Sequence, residues 1–445
     1  MAGTSEARSE RTVIVTYAKF LATKLRQTPG VGRVISTGDV HSMLHPWQAE
    51  IVAWAVRTGR AAIWADTGLG KTVMQLEWSR LSGDTSLIVA PLAVCAQTVR
   101  EAEKLGIKAR YVRGPEELTG PGVWITNYEM ADRFPADLFD AVCLDEASIL
   151  KNSTGATRTM LIEHFQPVRR RLACTATPAP NDSEELTNQA EFLGVISRVE
   201  MLASYFVHDS DAGWRLKGHA RGPMFRWMST WAVAIRMPSD MGYPDDGYVL
   251  PGLDIKEHLL DVDVVPDGQL FATDIGGVGG RAAVRRATLD DRVAKVAELV
   301  AAEPDEPWVL WCGLNDEADL LAKMIPRSVN VHGSLSAEDK ADLLLSFADG
   351  AIQHLIVKPS IASQGLNWQH CARMAFVGLS DSYEQYYQAI RRCYRYGQSR
   401  RVVAHVVLSE LEGQIAANVR RKEREAAHTM AELVTAMRTA KDQAA

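Results

Sequence analysis

No apolar run in this 445-residue chain approaches the roughly 18 residues that a membrane span needs, and the opening MAGTSEARSE lacks the apolar core of a signal peptide. The chain is therefore expected to work in the cytoplasm, with no membrane partner. Cysteine is scarce: Cys95, Cys143, Cys174, Cys312, Cys371 and Cys393 are scattered without C-x-x-C spacing. They read as reduced packing residues and not as a disulfide framework. His370 beside Cys371 has no second pair at ligand spacing, so no zinc is expected. Basic charge is not in excess either, the net charge being −6. No global field draws the protein to nucleic acid, and any such contact must come from local basic clusters.

What is present is an apolar fraction of 47%, enough to fill the two or three cores expected of a chain this long. Short apolar runs alternate with polar, helix-compatible stretches. Leu87 to Ala90, Val123 to Thr126, Ala141 to Leu144 and Leu172 to Thr175 read as strands buried on both faces. A second series follows at Trp308 to Cys312, Val329 to Val331, His354 to Val357, Met374 to Val377 and Val402 to Leu408. This predicts two α/β domains in tandem, each with a parallel sheet, over 41–190 and 256–410. An N-terminal segment, 1–40, precedes them, a helical insert and linker, 191–255, separates them, and a C-terminal helix, 411–445, follows.

In the insert, Trp214, Trp227 and Trp231 lie among Arg215, Lys217, Arg221 and Arg226. They could stack on bases, but 227 and 231 share a helical face, and packing against the first domain is the preferred reading. The turn-rich MPSDMGYPDDGYVLPG carries no assigned chemistry. Near the C-terminus, Ile415, Val419, Ala426, Met430, Leu433 and Met437 recur at helical spacing, which predicts packing on the second domain. Arg420, Arg421, Lys422 and Arg424 among them read as a solvated face.

The most informative stretch is Ala65-Asp-Thr-Gly-Leu-Gly-Lys71-Thr72, fed by the apolar run Ala61 to Trp64 as a strand feeds a phosphate loop. Thr67, Gly68 and Gly70 would wrap backbone N–H groups around phosphate oxygens, Lys71 would reach the terminal phosphates, and the Thr72 hydroxyl would ligate Mg²⁺. Ala65 stands where the pattern G-x-x-x-x-G-K-S/T has its first glycine. Downstream, the run Ala141 to Leu144 ends in Asp145-Glu146. A strand ending in paired carboxylates suits a Mg²⁺–ATP site, with Asp145 on the metal side and Glu146 as the base that activates water.

These motifs resemble the superfamily 2 helicase motors, and within them the chromatin-remodeller (Swi/Snf) helicase-like ATPases, especially their compact phage and bacterial forms. The resemblance runs from Leu44 to Leu408 and implies two RecA-like P-loop domains with ATP and Mg²⁺ between them. Leu44-His-Pro-Trp-Gln48 is similar to the upstream glutamine motif, implying that Gln48 reads the adenine edge. Ala90-Pro91-Leu92 and Ile125-Thr-Asn127-Tyr128-Glu129 resemble segments that touch nucleic acid, as do Lys151-Asn152 and Val331-His332-Gly333-Ser334. Ser148 departs from the histidine usual at the fourth position of the Asp145 motif, which leaves open how hydrolysis is relayed. Thr175-Ala-Thr177-Pro178 resembles the motif that couples the nucleotide site to domain closure. Ser363-Gln-Gly365-Leu-Asn367 adds Gly365 to the implied nucleotide contacts.

The last motif reads Q-x-x-G-R-x-x-R-x-G-Q in this family. Gln388-Ala-Ile-Arg391-Arg392-Cys-Tyr-Arg395-Tyr-Gly397-Gln398 matches it, with Gln388 as a coupling residue, Arg392 and Arg395 on the arginine-finger positions, and Arg391 replacing a glycine. The resemblance implies an ATP-dependent DNA translocase acting on duplex DNA, with forked or single-stranded DNA as further substrates, in phage or bacterial replication, recombination or branch migration. Two alternatives stay open: an ATP-gated clamp or annealing protein that does not travel, and a DEAD-box-type RNA helicase, against which Tyr394-Arg-Tyr-Gly-Gln398 argues.

Overall fold

The computed structural model describes residues 30–209, 213–261, 285–362, 367–380 and 382–444. Gly365 and its neighbours 363–366, and residues 1–29 of the expected N-terminal segment, lie outside the described residues.

Runs of small and β-branched apolar residues become parallel strands here because both faces of each strand are covered. Seven strands form the first sheet: β1 (Arg60–Ala65), β2 (Thr85–Ala90), β3 (Ala109–Tyr111), β4 (Gly122–Asn127), β5 (Ala141–Asp145), β6 (Arg170–Thr175) and β9 (Ala232–Ile235). Their order is β3-β4-β2-β5-β6-β1-β9, parallel throughout. Along β1 the side chains divide by parity, Ala62 and Trp64 entering one core and Ala61, Ile63 and Ala65 the other. A short antiparallel pair, β7 (Phe206–Asp209) with β8 (Gly213–Leu216), stands apart from this sheet.

The second sheet is also parallel, in the order β10-β15-β14-β11-β13-β12. Its strands are β10 (Leu253–Leu260), β11 (Trp308–Cys312), β12 (Ser328–Val331), β13 (His354–Val357), β14 (Arg373–Val377) and β15 (Val402–Ser409). Val309 and Trp311 face one core of this sheet, Trp308 and Leu310 the other. The α/β class with two parallel sheets is thus observed as expected.

Two features differ from the sequence reading. Residues 191–255 are not wholly helical: β9 joins the first sheet beside β1, and β10 opens the second. Trp231 meets Trp64 edge-on at 5.7 Å and Trp227 at 5.5 Å, so these rings pack the core, as preferred above. The C-terminal helix (Gly413–Ala444) does not pack on the second sheet alone. Ile415, Ala416 and Val419 enter the second sheet's core, whereas Leu433 and Val434 enter the first's. A helix of this length spans both because its apolar stripe continues past the first contact. Among the described residues, no helix is long and apolar enough to cross a membrane, and no cluster of three or more His, Cys, Asp or Glu could hold a metal ion.

Candidate nucleotide site between the two sheets

In parallel α/β sheets, ligands bind beyond the carboxyl ends of the strands, where the loops converge. Here β1, β6 and β5 are neighbours, and their ends deliver the phosphate loop, Thr175 and Asp145-Glu146 to one place. The loop after β1 turns through Gly68 (φ +92°) and Gly70 (φ +76°), a left-handed backbone that suits glycine. Space demands glycine as well. A Cβ on Gly70 would collide with the Gln48 amide, and one on Gly68 would lie 3.0 Å from Tyr396 Cβ. The helix Lys71–Ser82 starts directly after, so its unpaired N-terminal N–H groups open into the cleft.

Lys71 Nζ donates to the Ala65 carbonyl at 2.8 Å. Burial pushes its pKa down, opposed by the charges of Glu146, Asp66 and Asp145. Burial pushes both Asp145 and Glu146 up. The Gln75 side chain and then Lys71 counter the rise at Asp145, and Lys71 and then the Thr175 hydroxyl at Glu146. Glu146 adopts φ 62°, ψ 55°, rare for a residue with a side chain. Its Oε1 accepts from Thr175 Oγ1 at 2.5 Å and from Ser148 Oγ at 3.1 Å. The Thr177 N–H in turn donates to Thr175 Oγ1 at 3.0 Å. Ser148, whose role the sequence left open, thus helps Thr175 to hold the carboxylate.

The second sheet contributes the helix Tyr383–Cys393 and the turn after it. Gln388, Arg391, Arg392 and Arg395 line the same cavity of 250 Å³ as Thr67, Gly68, Gly70, Lys71, Thr72, Asp145 and Glu146. Burial, with Arg395 beside it, pushes the Arg392 guanidinium down to about 9, and burial with Arg391 nearby pushes Arg395 down to about 10. Crowded, buried cations of this kind gain from an incoming polyanion. The glycine-shaped cradle, the helix N-terminus, Lys71, Arg392 and Arg395 fit a nucleoside triphosphate, and Thr72 with Asp145 fits its Mg²⁺.

Several expected residues fall elsewhere. Gln48 is buried beneath the loop, its Nε2 donating to the Leu69 carbonyl at 3.0 Å and its Oε1 accepting from the His45 N–H at 2.9 Å. Pro91 lines the nucleotide cavity. Asn127 and Tyr128, expected at a nucleic-acid backbone, point inward. Asn127 Nδ2 donates to Tyr111 Oη at 3.0 Å, and Tyr128 Oη donates to the Asp145 carbonyl at 2.6 Å. Lys151 pairs with Glu384 of the second sheet's helix. Asn152, His332 and Gly333 are exposed.

Sequence reasoning passed over Asp66, whose carboxylate accepts from Tyr387 Oη and from Arg391 Nη2 across the cleft. The signal was there in part, since Tyr387 and Arg391 stand one helical turn apart.

Residues 41–197 match the family described as SNF2-related domain, and residues 291–397 match the helicase conserved C-terminal domain. The chain is 27% identical over 183 residues to a mouse (Mus musculus) protein, "DNA annealing helicase and endonuclease ZRANB3", a match covering 35% of this chain and 16% of the relative. It is 28% identical over 188 residues to a bovine (Bos taurus) "DNA excision repair protein ERCC-6-like", covering 35% of this chain and 15% of the relative. The matches therefore span about a sixth of these relatives' length. Among solved structures, a Sulfolobus solfataricus SWI2/SNF2 ATPase core in complex with dsDNA aligns with TM-score 0.44 and 17% identity, covering 85% of this chain and 90% of that one. Since the two family matches fall in order on the two sheets that share the phosphate-loop cleft, the chain belongs to the SNF2-related, superfamily 2 helicase-like ATPases.

Proposed function

We propose that the protein is a DNA-dependent ATPase that converts hydrolysis in this cleft into movement along duplex DNA. The observation that carries the reading is the single cavity lined at once by the phosphate loop, the Asp145-Glu146 pair and the arginines of the second sheet. ATP is the substrate: bridging the two walls of the cavity favours closure, and transfer of its terminal phosphoryl group to water, with loss of phosphate, allows opening. Lys71 and the loop N–H groups bind the phosphates, Thr72 and Asp145 would hold Mg²⁺, which would offset phosphate charge, and Glu146 takes a proton from the attacking water. Arg392 and Arg395 offset the charge that develops on the transferred group. Thr175, bonded to Glu146 and to the Thr177 N–H, couples the base to the loop after β6.

For DNA we assign the exposed Asn152, His332 and Gly333, with Lys151 joining them once freed from Glu384. Contacts of this kind are to phosphate, so recognition is independent of sequence. The names of the relatives, a DNA annealing helicase and a DNA excision repair protein, support a DNA partner. The setting is replication, recombination or branch migration, as the resemblance to phage and bacterial forms implies.

The test is steady-state ATPase activity with duplex, single-stranded and forked DNA and with RNA in parallel, followed by displacement of a triplex-forming strand from duplex DNA. Duplex stimulation with ATP-dependent strand displacement is expected. Stimulation by RNA alone overturns the DNA reading in favour of an RNA helicase, and DNA stimulation without displacement overturns travel in favour of a clamp.

A further inference from the structure

We propose that Asp66, Tyr387 and Arg391 form a latch across the cleft, which makes Arg391 a positioning residue that docks the arginine-bearing helix on the phosphate loop before DNA is engaged. The proposal rests on the ATPase reading above, but the contact itself is made by protein groups alone.

Both carboxylate oxygens of Asp66 are committed. Oδ1 accepts from the Thr67 N–H at 2.6 Å and from Tyr387 Oη, and Oδ2 accepts from Arg391 Nη2 at 3.0 Å. The Arg391 guanidinium lies over two rings, 5.1 Å from the centroid of Tyr387 and 5.4 Å from that of Tyr394, which hold it in place for the pairing. The side chains of Arg391 and Asp66 are only 20% and 21% exposed, so the pair is shielded better than a surface ion pair.

The same helix makes a second crossing one turn earlier, where Glu384 pairs with Lys151. Positions 384, 387, 388 and 391 share one helical face, and that face is turned to the first sheet.

The location gives the latch a consequence for catalysis. Asp66 sits in the phosphate loop, where its negative charge opposes a polyanion unless a cation offsets it. Arg391 supplies that cation, and in doing so brings the next residue, Arg392, and Arg395 to the cavity wall. A protein latched in this way has its arginines in place without help from DNA. It therefore hydrolyses some ATP alone, and DNA raises a rate that is already present. Severing the latch should leave docking to DNA, so the DNA-free rate falls while the rate at saturating duplex DNA is largely kept.

The test compares wild type with Arg391→Ala, Arg391→Lys, Tyr387→Phe and Asp66→Asn. The DNA-free kcat should fall about tenfold in Arg391→Ala, the loss of one partly buried charge-assisted hydrogen bond. The rate at saturating DNA should stay within about threefold of wild type, since DNA binding then supplies the docking. Arg391→Lys, which keeps the charge, should recover part of the DNA-free rate. Equal loss of both rates would make Arg391 a contact to the reacting groups and overturn the positioning role.

A second readout needs no ATP. Spin labels on Val199→Cys and Met324→Cys, exposed sites on helices packed against the first and the second sheet, report the distance between the sheets, and the six native cysteines are buried and so are poor labelling sites. Wild type should give one narrow distribution, and Arg391→Ala and Asp66→Asn should each broaden it. Wild-type distributions in both variants overturn the latch, whatever their rates. Broadened distributions in a protein with no ATPase activity keep the latch and overturn the enzymatic reading instead.

Discussion

At the scale of single residues, Glu146 is the group whose surroundings say most about chemistry. Burial raises its pKa, while the Thr175 and Ser148 hydroxyls aim its Oε1. Glu146→Gln keeps the shape and removes the proposed base, so the variant should bind Mg²⁺–ATP normally and turn it over at least about a hundredfold more slowly. Nucleotide affinity by fluorescence and kcat by phosphate release check the two halves separately. The Thr175 hydroxyl yields a prediction with a sign. A hydrogen bond to a carboxylate favours the charged form and lowers its pKa. Thr175→Val removes that bond, so the raised pKa of Glu146 should rise further. A base works only when deprotonated, so the acid limb of kcat against pH should move to higher pH in Thr175→Val. A limb that stays in place or moves down contradicts the assignment.

At the scale of elements, the C-terminal helix separates apolar packing from ionic decoration. Leu433 is fully buried in the core of the first sheet, whereas the Arg221–Glu432 pair one residue away is about one-third exposed on each side. Leu433→Ala should cost about 2–5 kcal/mol, a lost transfer term plus a cavity. Glu432→Ala should cost at most about 1 kcal/mol, since an exposed pair pays entropy and is screened. Urea unfolding of the two variants measures both, and similar costs would mean that the helix is held by charge. Polar contacts add direction. Lys422 Nζ donates to Asn181 Oδ1 at 3.1 Å, and Arg438 donates to the carbonyls of Ser239 and Asp240.

At the scale of the whole molecule, two sheets with separate cores meet at one cleft and are tied by one helix. Removal of residues 430–444 takes away Leu433 and Val434 but leaves Ile415, Ala416 and Val419 in the second core. Calorimetry of that truncation should resolve two unfolding transitions closer in character to independent domains, whereas the intact chain should unfold with stronger coupling between them. Stimulation of hydrolysis by duplex DNA should fall steeply with salt, because neutralised phosphates release counterions. A titration of stimulated ATPase against NaCl checks this, and a flat response would argue against phosphate contacts as the source of affinity.

Most strands buried on both faces were legible in the sequence, because a short unbroken apolar run such as Ala141 to Leu144, bounded by polar residues, suits a covered parallel sheet. β3 and β10 were missed because their residues are partly exposed and lack that pattern. β9 was absorbed into the insert because its four apolar residues are too short to declare a partner. The phosphate loop and the Asp145-Glu146 pair were equally legible, since glycines, a lysine and paired acids at the ends of apolar runs specify chemistry through local backbone geometry. Which way a side chain turns at a strand end is not local. Asn127 and Tyr128 look inward because Tyr111 and the Asp145 carbonyl, distant in the chain, stand beside them. By itself the sequence determined two helicase-like α/β domains and the phosphate-loop and paired-acid motifs that line one cavity. Only the tertiary structure decided that Asp66 meets Arg391 and that one helix serves both cores, because those contacts join positions hundreds of residues apart, whose pairing is set by packing and leaves no periodic trace along the chain.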